Sequence, residues 1–373
     1  MEPIGLYIHV PFCLSKCPYC DFYSLPSADG TVLDRYTAAL LEAMDRWAER
    51  LNGVRADTLY FGGGTPALLG GARLAAVLGR ADKRFGLFSG EPPEVTLEAN
   101  PADDLADTLA AFAAAGGNRL SLGMQSALPE ELRRLGRRHT PADVERTVQD
   151  ARRAGLRNLS LDLMLGISGQ TAASVRTSVR RLAELGADHA SAYLLRVEPD
   201  TPYGQSPPPL PDDDAAAELY LTAAQALDGC GFRQYEISNF ARPGRESRHN
   251  RKYWESCPYL GIGPAASSCL GGRRFSYPRD LDRFLAGGTP AEEADPLIPV
   301  GSPEEYALLR LRLTDGLRET DFAARFGRPL PADWHRRAAA LPPVLVTADE
   351  EGIRLTRRGF LLSNSLILRI LDG

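Results

Sequence analysis

The sequence predicts an α/β fold: a partial (β/α)6 barrel, an incomplete relative of the TIM barrel, followed by a small C-terminal winged-helix-like domain. Three observations lead there. Six short strand signals alternate with amphipathic helix signals over the first part of the chain. The links between them are short, which implies parallel strands joined by right-handed crossovers. Beyond a proline run, the last stretch changes to short helices and one late strand. Six units are too few to close an eight-fold barrel, and the functional face of such a sheet lies at the carboxyl ends of its strands.

Leu6 to Val10 is the first strand, and a Cys-rich loop follows it. The amphipathic stretch from about Leu33 to Leu51 is its helix. Thr58-Leu59-Tyr60-Phe61 is the second strand, with a glycine-rich turn and a helix near Leu74 to Phe85. Val95 to Glu98 and Leu105 to Ala115 make the third unit. Arg119 to Gly123 is the fourth strand. Two helical segments follow, and Thr140-Pro141-Ala142-Asp143 is a good helix start. Leu159 to Leu163 and Ser174 to Leu185 are the fifth unit, and His189 to Leu195 is the sixth strand. Residues 1–205 are therefore expected to form the barrel. The run from Ser206 to Pro211 reads as a stiff connector. It opens an extension, residues 206–290, with a helix from Asp213 to Leu227, a strand from Arg233 to Ile237, and a polar, aromatic segment from Asn239 to Tyr277. A Gly- and Pro-rich break near Leu285 to Pro303 leads into the last domain, residues 291–373. Its signals are three short helices, a strand at Ile353 to Thr356, and a helix from Arg358 to Ile370.

Composition narrows the function classes. The 373 residues are 44% hydrophobic and 24% charged, ordinary for a globular chain with a sizeable core. The net charge of -5 argues against a large nucleic-acid-binding face, so no nucleic-acid partner is expected. Lys16, Lys83 and Lys252 are the only lysines among 43 basic residues, so an arginine carries little functional signal by itself. No apolar run approaches the ~18 residues of a membrane span, although transient docking on a membrane through a local basic face stays open. Met1-Glu2-Pro3-Ile4-Gly5 lacks the basic and apolar regions of a signal peptide. Three of the six cysteines crowd into eight residues, while Cys230, Cys257 and Cys269 are scattered. That distribution suits a cytoplasmic protein with one cysteine-ligated site better than a secreted disulfide scaffold.

Cys13, Cys17 and Cys20 form a CxxxCxxC spacing directly after the first strand. Three thiolates on a tight loop suit a [4Fe-4S] cluster whose fourth iron lacks a protein ligand. Structural zinc would want four protein ligands, usually from two CxxC pairs, and no second pair exists. Zinc is thus the weaker alternative, and three unrelated loop thiols the weakest. Phe61-Gly62-Gly63-Gly64-Thr65-Pro66 ends the second strand, where glycines allow a close backbone approach. Glu98, Gln125 and Asp162 stand at the carboxyl ends of successive strands and converge on one pocket. Each alone would read as a helix cap or a solvated edge.

Together, Tyr7-Ile8-His9-Val10-Pro11-Phe12-Cys13, the run to Cys20-Asp21-Phe22 and the glycine turn resemble the radical S-adenosylmethionine (SAM) superfamily. More narrowly, the chain is similar to its HemW group of haem chaperones, relatives of the oxygen-independent coproporphyrinogen III dehydrogenases (HemN). The similarity runs from Tyr7 to the C-terminal helix. It implies the radical SAM form of the partial barrel, a [4Fe-4S] cluster on Cys13, Cys17 and Cys20, and SAM on its open iron. It also implies SAM contacts from Tyr7, Tyr19, Gly63, Gly64, Thr65, Glu98, Gln125, Arg137 and Asp162, some of them to a second SAM in the relatives. No side chain is assigned a catalytic role. A one-electron donor such as a flavodoxin or ferredoxin follows from the cluster chemistry.

Two features separate the sister groups. The dehydrogenases carry a fourth cysteine where Phe22 stands here, and a long extension before the cluster, whereas 12 residues precede Cys13. Both favour the chaperone group. His249-Asn250-Arg251-Lys252-Tyr253-Trp254 matches the HNxxYW motif associated with haem in that group. It implies haem as cargo, with His249 as an axial ligand, delivery to haem-acceptor proteins, and a homodimer as one arrangement. Taken alone, His249 also reads as a hydrogen-bonded histidine in an aromatic loop. The chain departs from the group at Ser267, where a histidine is usual, and at Ser168, where a proline is usual. The alternative reading is an enzyme acting on a tetrapyrrole. His9 reads as structural, and His139, His189 and His335 have no motif support.

Overall fold

The computed structural model describes residues 2–26, 29–101, 104–293 and 298–372. Its centre is six parallel, neighbouring strands: β1 (Ile4–Val10), β2 (Ala56–Gly63), β3 (Glu94–Ala99), β4 (Arg119–Gln125), β5 (Asn158–Leu165) and β6 (His189–Leu194). The connecting helices are α1 (Gly30–Leu51), α2 (Gly71–Phe85), α3 (Ala106–Ala114), α4 (Pro129–Arg134), α5 (Pro141–Arg153) and α6 (Ala172–Glu184). The α5 start is a capping box: Thr140 accepts from the Asp143 N–H, and the Asp143 carboxylate accepts from the Thr140 N–H.

Strand alternation explains why this sheet curves around a polar lumen. Leu59, Phe61, Val95, Leu97, Leu120, Leu122, Leu159 and Leu161 share one apolar core with Leu74, Val77, Phe112, Val144 and Val179 of the helices. The residues between them, at a period of two, are polar. Glu98, Ser121, Ser160 and His189 are register partners across β3 to β6 and face the lumen together.

The extension continues the same sheet at both edges. Asn239–Ala241 pairs antiparallel with β6. On the other side, Tyr259–Ile262 pairs parallel with β1, and antiparallel strands Ser267–Leu270 and Arg273–Ser276 follow. Two expectations need correction. The strand expected from Arg233 to Ile237 is reduced to Arg233–Gln234, because Glu236 leaves the ladder to bridge Leu313 of the last domain. The final helix is split into Arg357–Phe360 and Ser363–Leu371.

The C-terminal part packs a core of its own around Tyr306, Leu317, Phe322, Trp334, Ile353 and Ile367. Short helices surround a three-stranded antiparallel sheet, Leu317–Arg318, Gly352–Leu355 and Val346–Asp349, in the manner of a winged helix. Part of the expected Gly- and Pro-rich break, 294–297, lies outside the described residues. Among the described residues, no helix is long and apolar enough to cross a membrane.

Candidate functional site

The cysteine loop sits across the carboxyl end of the barrel. Backbone bonds fasten it there: Gly64 N–H donates to Val10 O at 2.8 Å, and Thr65 N–H to Phe12 O at 2.7 Å. The loop's return is pinned by Tyr203 N–H, which donates to Pro18 O at 3.0 Å. Below it opens a cavity of ≈ 550 Å³, within the usual size of a small-molecule site. Cys13, Cys17, Cys20, Tyr19, Gly63, Gly64, Thr65, Glu98, Gln125, Arg137 and Asp162 all line this one space. Cys13 Sγ lies 3.4 Å from Thr65 Oγ1, and Arg137 Nη1 donates to Cys17 Sγ at 3.5 Å.

Individual polar atoms in the cavity wall lack partners. Gln125 Oε1, Arg137 Nε and Arg119 Nε are buried with no hydrogen-bond partner among the described residues. Gln125 also has φ 62, in the left-handed region that a glutamine seldom adopts, where the β4–β5 register shifts. Strain and unpartnered polar atoms thus lie together at one wall of the cavity. Tyr60 Oη donates to Glu98 Oε1 at 2.7 Å, and Ser121 Oγ to Asp162 Oδ1 at 3.4 Å. Burial in the barrel mouth pushes the Glu98 carboxyl up to about 7, against the opposing pull of the Tyr60 bond. Burial likewise raises Asp162 to about 6, with Ser191 and Arg119 opposing it.

The glycines of the turn have a reason the sequence did not reveal. A Cβ on Gly63 would stand 2.8 Å from the His9 ring, and one on Gly64 would stand 2.5 Å from Phe12 O. The space beside them is filled by the chain's own β1 and cysteine loop. Their backbone still borders the cavity, and Gly63 also needs its φ of +110. His9 is hydrogen-bonded to Tyr23 O at 2.9 Å and to Tyr7 Oη at 3.2 Å.

The radical SAM superfamily profile matches residues 7–182, and the HemN C-terminal domain profile matches 302–362. The heme chaperone HemW of Escherichia coli is 34% identical over 377 residues, covering 98% of this chain and 98% of its own. The heme chaperone HemW of Mycobacterium tuberculosis is 36% identical over 380 residues, covering 99% of this chain and 95% of its own. The chain belongs to the HemW family. A solved structure, coproporphyrinogen III oxidase (HemN) from Escherichia coli, superposes with a TM-score of 0.83 over 99% of this chain and 90% of that one. Its 22% identity makes this a statement about the fold alone.

Two of the predicted site residues, Tyr7 and His249, fall outside the cavity in this HemW family member. Tyr7 lines an adjoining cavity of ≈ 540 Å³, with His9, Tyr23, Tyr253, Tyr259 and Arg279; Asp21 and Phe22 border both spaces. Ser267, in place of the usual histidine, also lines this second cavity and shares a 2.8 Å hydrogen bond with Ser276 Oγ. His249 lines neither cavity. It belongs to the helix α7 (Arg248–Trp254), which packs against the amino ends of β1, β2 and β3 through Gly5, Thr58 and Glu94. Glu94, at the start of β3, caps that helix. Its carboxylate accepts from Ser247 Oγ at 3.2 Å, Arg248 N at 3.0 Å and His249 N at 2.9 Å. Lys252 pairs with Asp57 at 2.9 Å and donates to Pro3 O at 3.0 Å. The HNxxYW segment of this chain is thus the floor of the barrel. His249 is buried in it, with Nδ1 2.8 Å from Thr58 Oγ1 and Nε2 2.8 Å from Tyr253 Oη. Both nitrogens are engaged, and burial pushes the imidazole down to about 3, so it stays neutral. In this conformation neither nitrogen is free to reach an iron.

Tyr60, Arg119, Ser191, Tyr193 and Asn250 line the cavity and escaped the sequence reading. Arg119 is 1% exposed, the largest fully buried side chain. Its signal was present: in Arg119-Leu120-Ser121-Leu122-Gly123-Met124-Gln125 every second residue is polar or glycine, which marks the lumen face. Asn250 was named only as part of the HNxxYW motif; nothing local indicated that it would reach this cavity from the floor.

Proposed function

We propose that this chain is a haem chaperone that carries a [4Fe-4S] cluster and SAM and hands haem to acceptor proteins in the cytoplasm. The single observation that carries the reading is kinship with HemW chaperones over nearly the whole chain. In this reading residues 1–205 are the cofactor-binding barrel, 206–290 the extension with the HNxxYW floor, and 291–373 the C-terminal domain.

We infer that Cys13, Cys17 and Cys20 hold the cluster, and that Tyr19, Gly63, Gly64, Thr65, Glu98, Gln125, Arg137 and Asp162 surround SAM. The fit is supported by the chain itself. Three free thiols border one cavity together with the unpaired Gln125 Oε1 and Arg137 Nε. Among the described residues, no three His, Cys, Asp or Glu side chains converge as ligands of a single metal ion. A group that spans the thiols with atoms of its own suits them better than one zinc ion. When bound, the cluster supplies one-electron chemistry at the SAM sulfonium, fed by a donor such as a flavodoxin or ferredoxin. The protein's part is to bind and orient. The Arg137 guanidinium faces the Cys17 sulfur, where it offsets thiolate charge. The Glu98 and Asp162 carboxyl groups would accept hydrogen bonds from hydroxyl or ammonium groups of bound SAM, and the cysteine loop that borders the cavity would shield them from water. Tyr7 touches SAM only if the ligand reaches across Asp21 and Phe22 into the second cavity.

Haem as cargo is tested directly. Anaerobically reconstituted protein, titrated with haem, is expected to shift the Soret band and then pass the haem to an apo-haem protein. His249 becomes an axial ligand only if it gives up Thr58 or Tyr253, so His249→Ala measures whether that rearrangement occurs. Conversion of coproporphyrinogen III to protoporphyrinogen IX, with no haem transfer, would overturn the chaperone reading in favour of an enzyme.

A further inference from the structure

We propose that His249 is a positioning residue for the cofactor cavity: its ring supports Tyr60 from the barrel floor, and Tyr60 in turn holds Glu98. This rests on the cofactor reading of that cavity. The chain of contacts is continuous. The His249 ring stacks on Tyr60 with centroids 5.2 Å apart and planes 26° apart. That ring is itself fixed, because Thr58 Oγ1 and Tyr253 Oη bind its two nitrogens and Tyr253 packs edge-on against it at 88°. The far end of Tyr60 is its hydroxyl, which donates to Glu98 Oε1 at 2.7 Å. Glu98 borders the cavity; His249 does not. The histidine of the floor therefore acts on the cavity through one aromatic ring and one hydrogen bond.

The consequence is chemical as well as steric. Glu98 is faced by Tyr60, Arg119 and Asp162, and by the more distant hydroxyls of Tyr7, Tyr193 and Tyr253. The Tyr60 bond favours its ionised form against burial and against Asp162. Without the imidazole beneath it, the Tyr60 ring sinks into the vacated space and the bond is lost. The Glu98 carboxyl then takes its proton at higher pH.

The test uses the full chain with its cluster reconstituted anaerobically. SAM is titrated from pH 6 to 9, and binding is read from the EPR spectrum of the reduced cluster. Tyr60→Phe and His249→Ala should each weaken SAM about 3- to 10-fold at pH 7, the worth of one hydrogen bond. Both should move the pH midpoint of SAM binding upward, and the double variant should be no weaker than either single one. His249→Phe, which restores a ring under Tyr60, should bring the midpoint most of the way back. Should His249→Ala take up no cluster, His249→Ser replaces it: it leaves the same space under Tyr60 and the same shift is expected. A wild-type midpoint in a folded, cluster-loaded His249→Ala or His249→Ser protein, or additive losses in the double variant, would overturn the proposal. Failure of the wild-type protein to bind SAM would overturn the cofactor reading, and the positioning role with it.

Discussion

Replacing Glu94 by alanine should loosen the floor of the barrel, and the size of the effect follows from three hydrogen bonds. The α7 helix has seven residues, too few to hold itself in water, so its place depends on tethers. Glu94 is buried and accepts from Ser247 Oγ, Arg248 N and His249 N. Ser247 and His249 are also buried, so their donors have no water to turn to once the carboxylate is gone. Each orphaned buried donor costs about 1–3 kcal/mol, and the lost charge at the helix N-terminus adds about 0.3–1 kcal/mol. Arg248 is exposed and recovers its bond from solvent, and removing a buried carboxylate returns part of its desolvation. The net expectation is about 3–5 kcal/mol for Glu94→Ala, and about half of that for Glu94→Gln, which keeps one acceptor oxygen. Urea unfolding followed by circular dichroism gives the stability. Hydrogen exchange at the His249 and Asn250 amides shows whether the floor itself has loosened. An alanine variant within about 1 kcal/mol of wild type, with those amides still protected, would refute the account of what holds the HNxxYW segment in place.

Other expectations concern the cavity. Cys17→Ala should abolish the visible absorption of the anaerobically reconstituted cluster; unchanged absorption would sink the ligand assignment. Gly64→Ala places a Cβ 2.5 Å from Phe12 O and should displace the cysteine loop, lowering both stability and iron content. Gly70→Ala is the steric control: its φ of +77 with ψ of 159 is a conformation almost confined to glycine, but nothing lies within 4 Å, so it should cost about 1–3 kcal/mol of backbone strain and leave the iron content unchanged. Glu98→Gln should stabilise the cofactor-free protein at pH 8. Because the folded-state pKa is raised to about 7, the folded protein holds a proton that the unfolded chain has lost, and wild-type stability falls as pH rises from about 4.5 to 7. The glutamine removes that penalty, worth up to about 1–3 kcal/mol, so the gap between the two proteins should widen through this range in thermal melts and close toward pH 4. A gap of the same size at pH 4 and pH 8 would show that the Glu98 carboxyl is not perturbed.

The sequence by itself determined what depends on near neighbours. Six strand–helix units, the Thr140 cap, the CxxxCxxC loop and the polar strand ends are patterns of two to eight residues, and each survived folding because the local spacing already carried the physics. The convergence of Glu98, Gln125 and Asp162 was also legible, since a parallel sheet brings successive carboxyl ends together. Tertiary structure alone decided the rest. Thr58 and His249 are 191 residues apart, and Glu94 and His249 are 155 apart, so no local pattern could announce that the HNxxYW histidine would be buried under the barrel with both nitrogens taken. The same holds for the glycine turn, whose neighbours His9 and Phe12 come from a different strand and loop. Which atoms a side chain meets across the barrel depends on how six strands close around it, and that closure is a property of the packed whole.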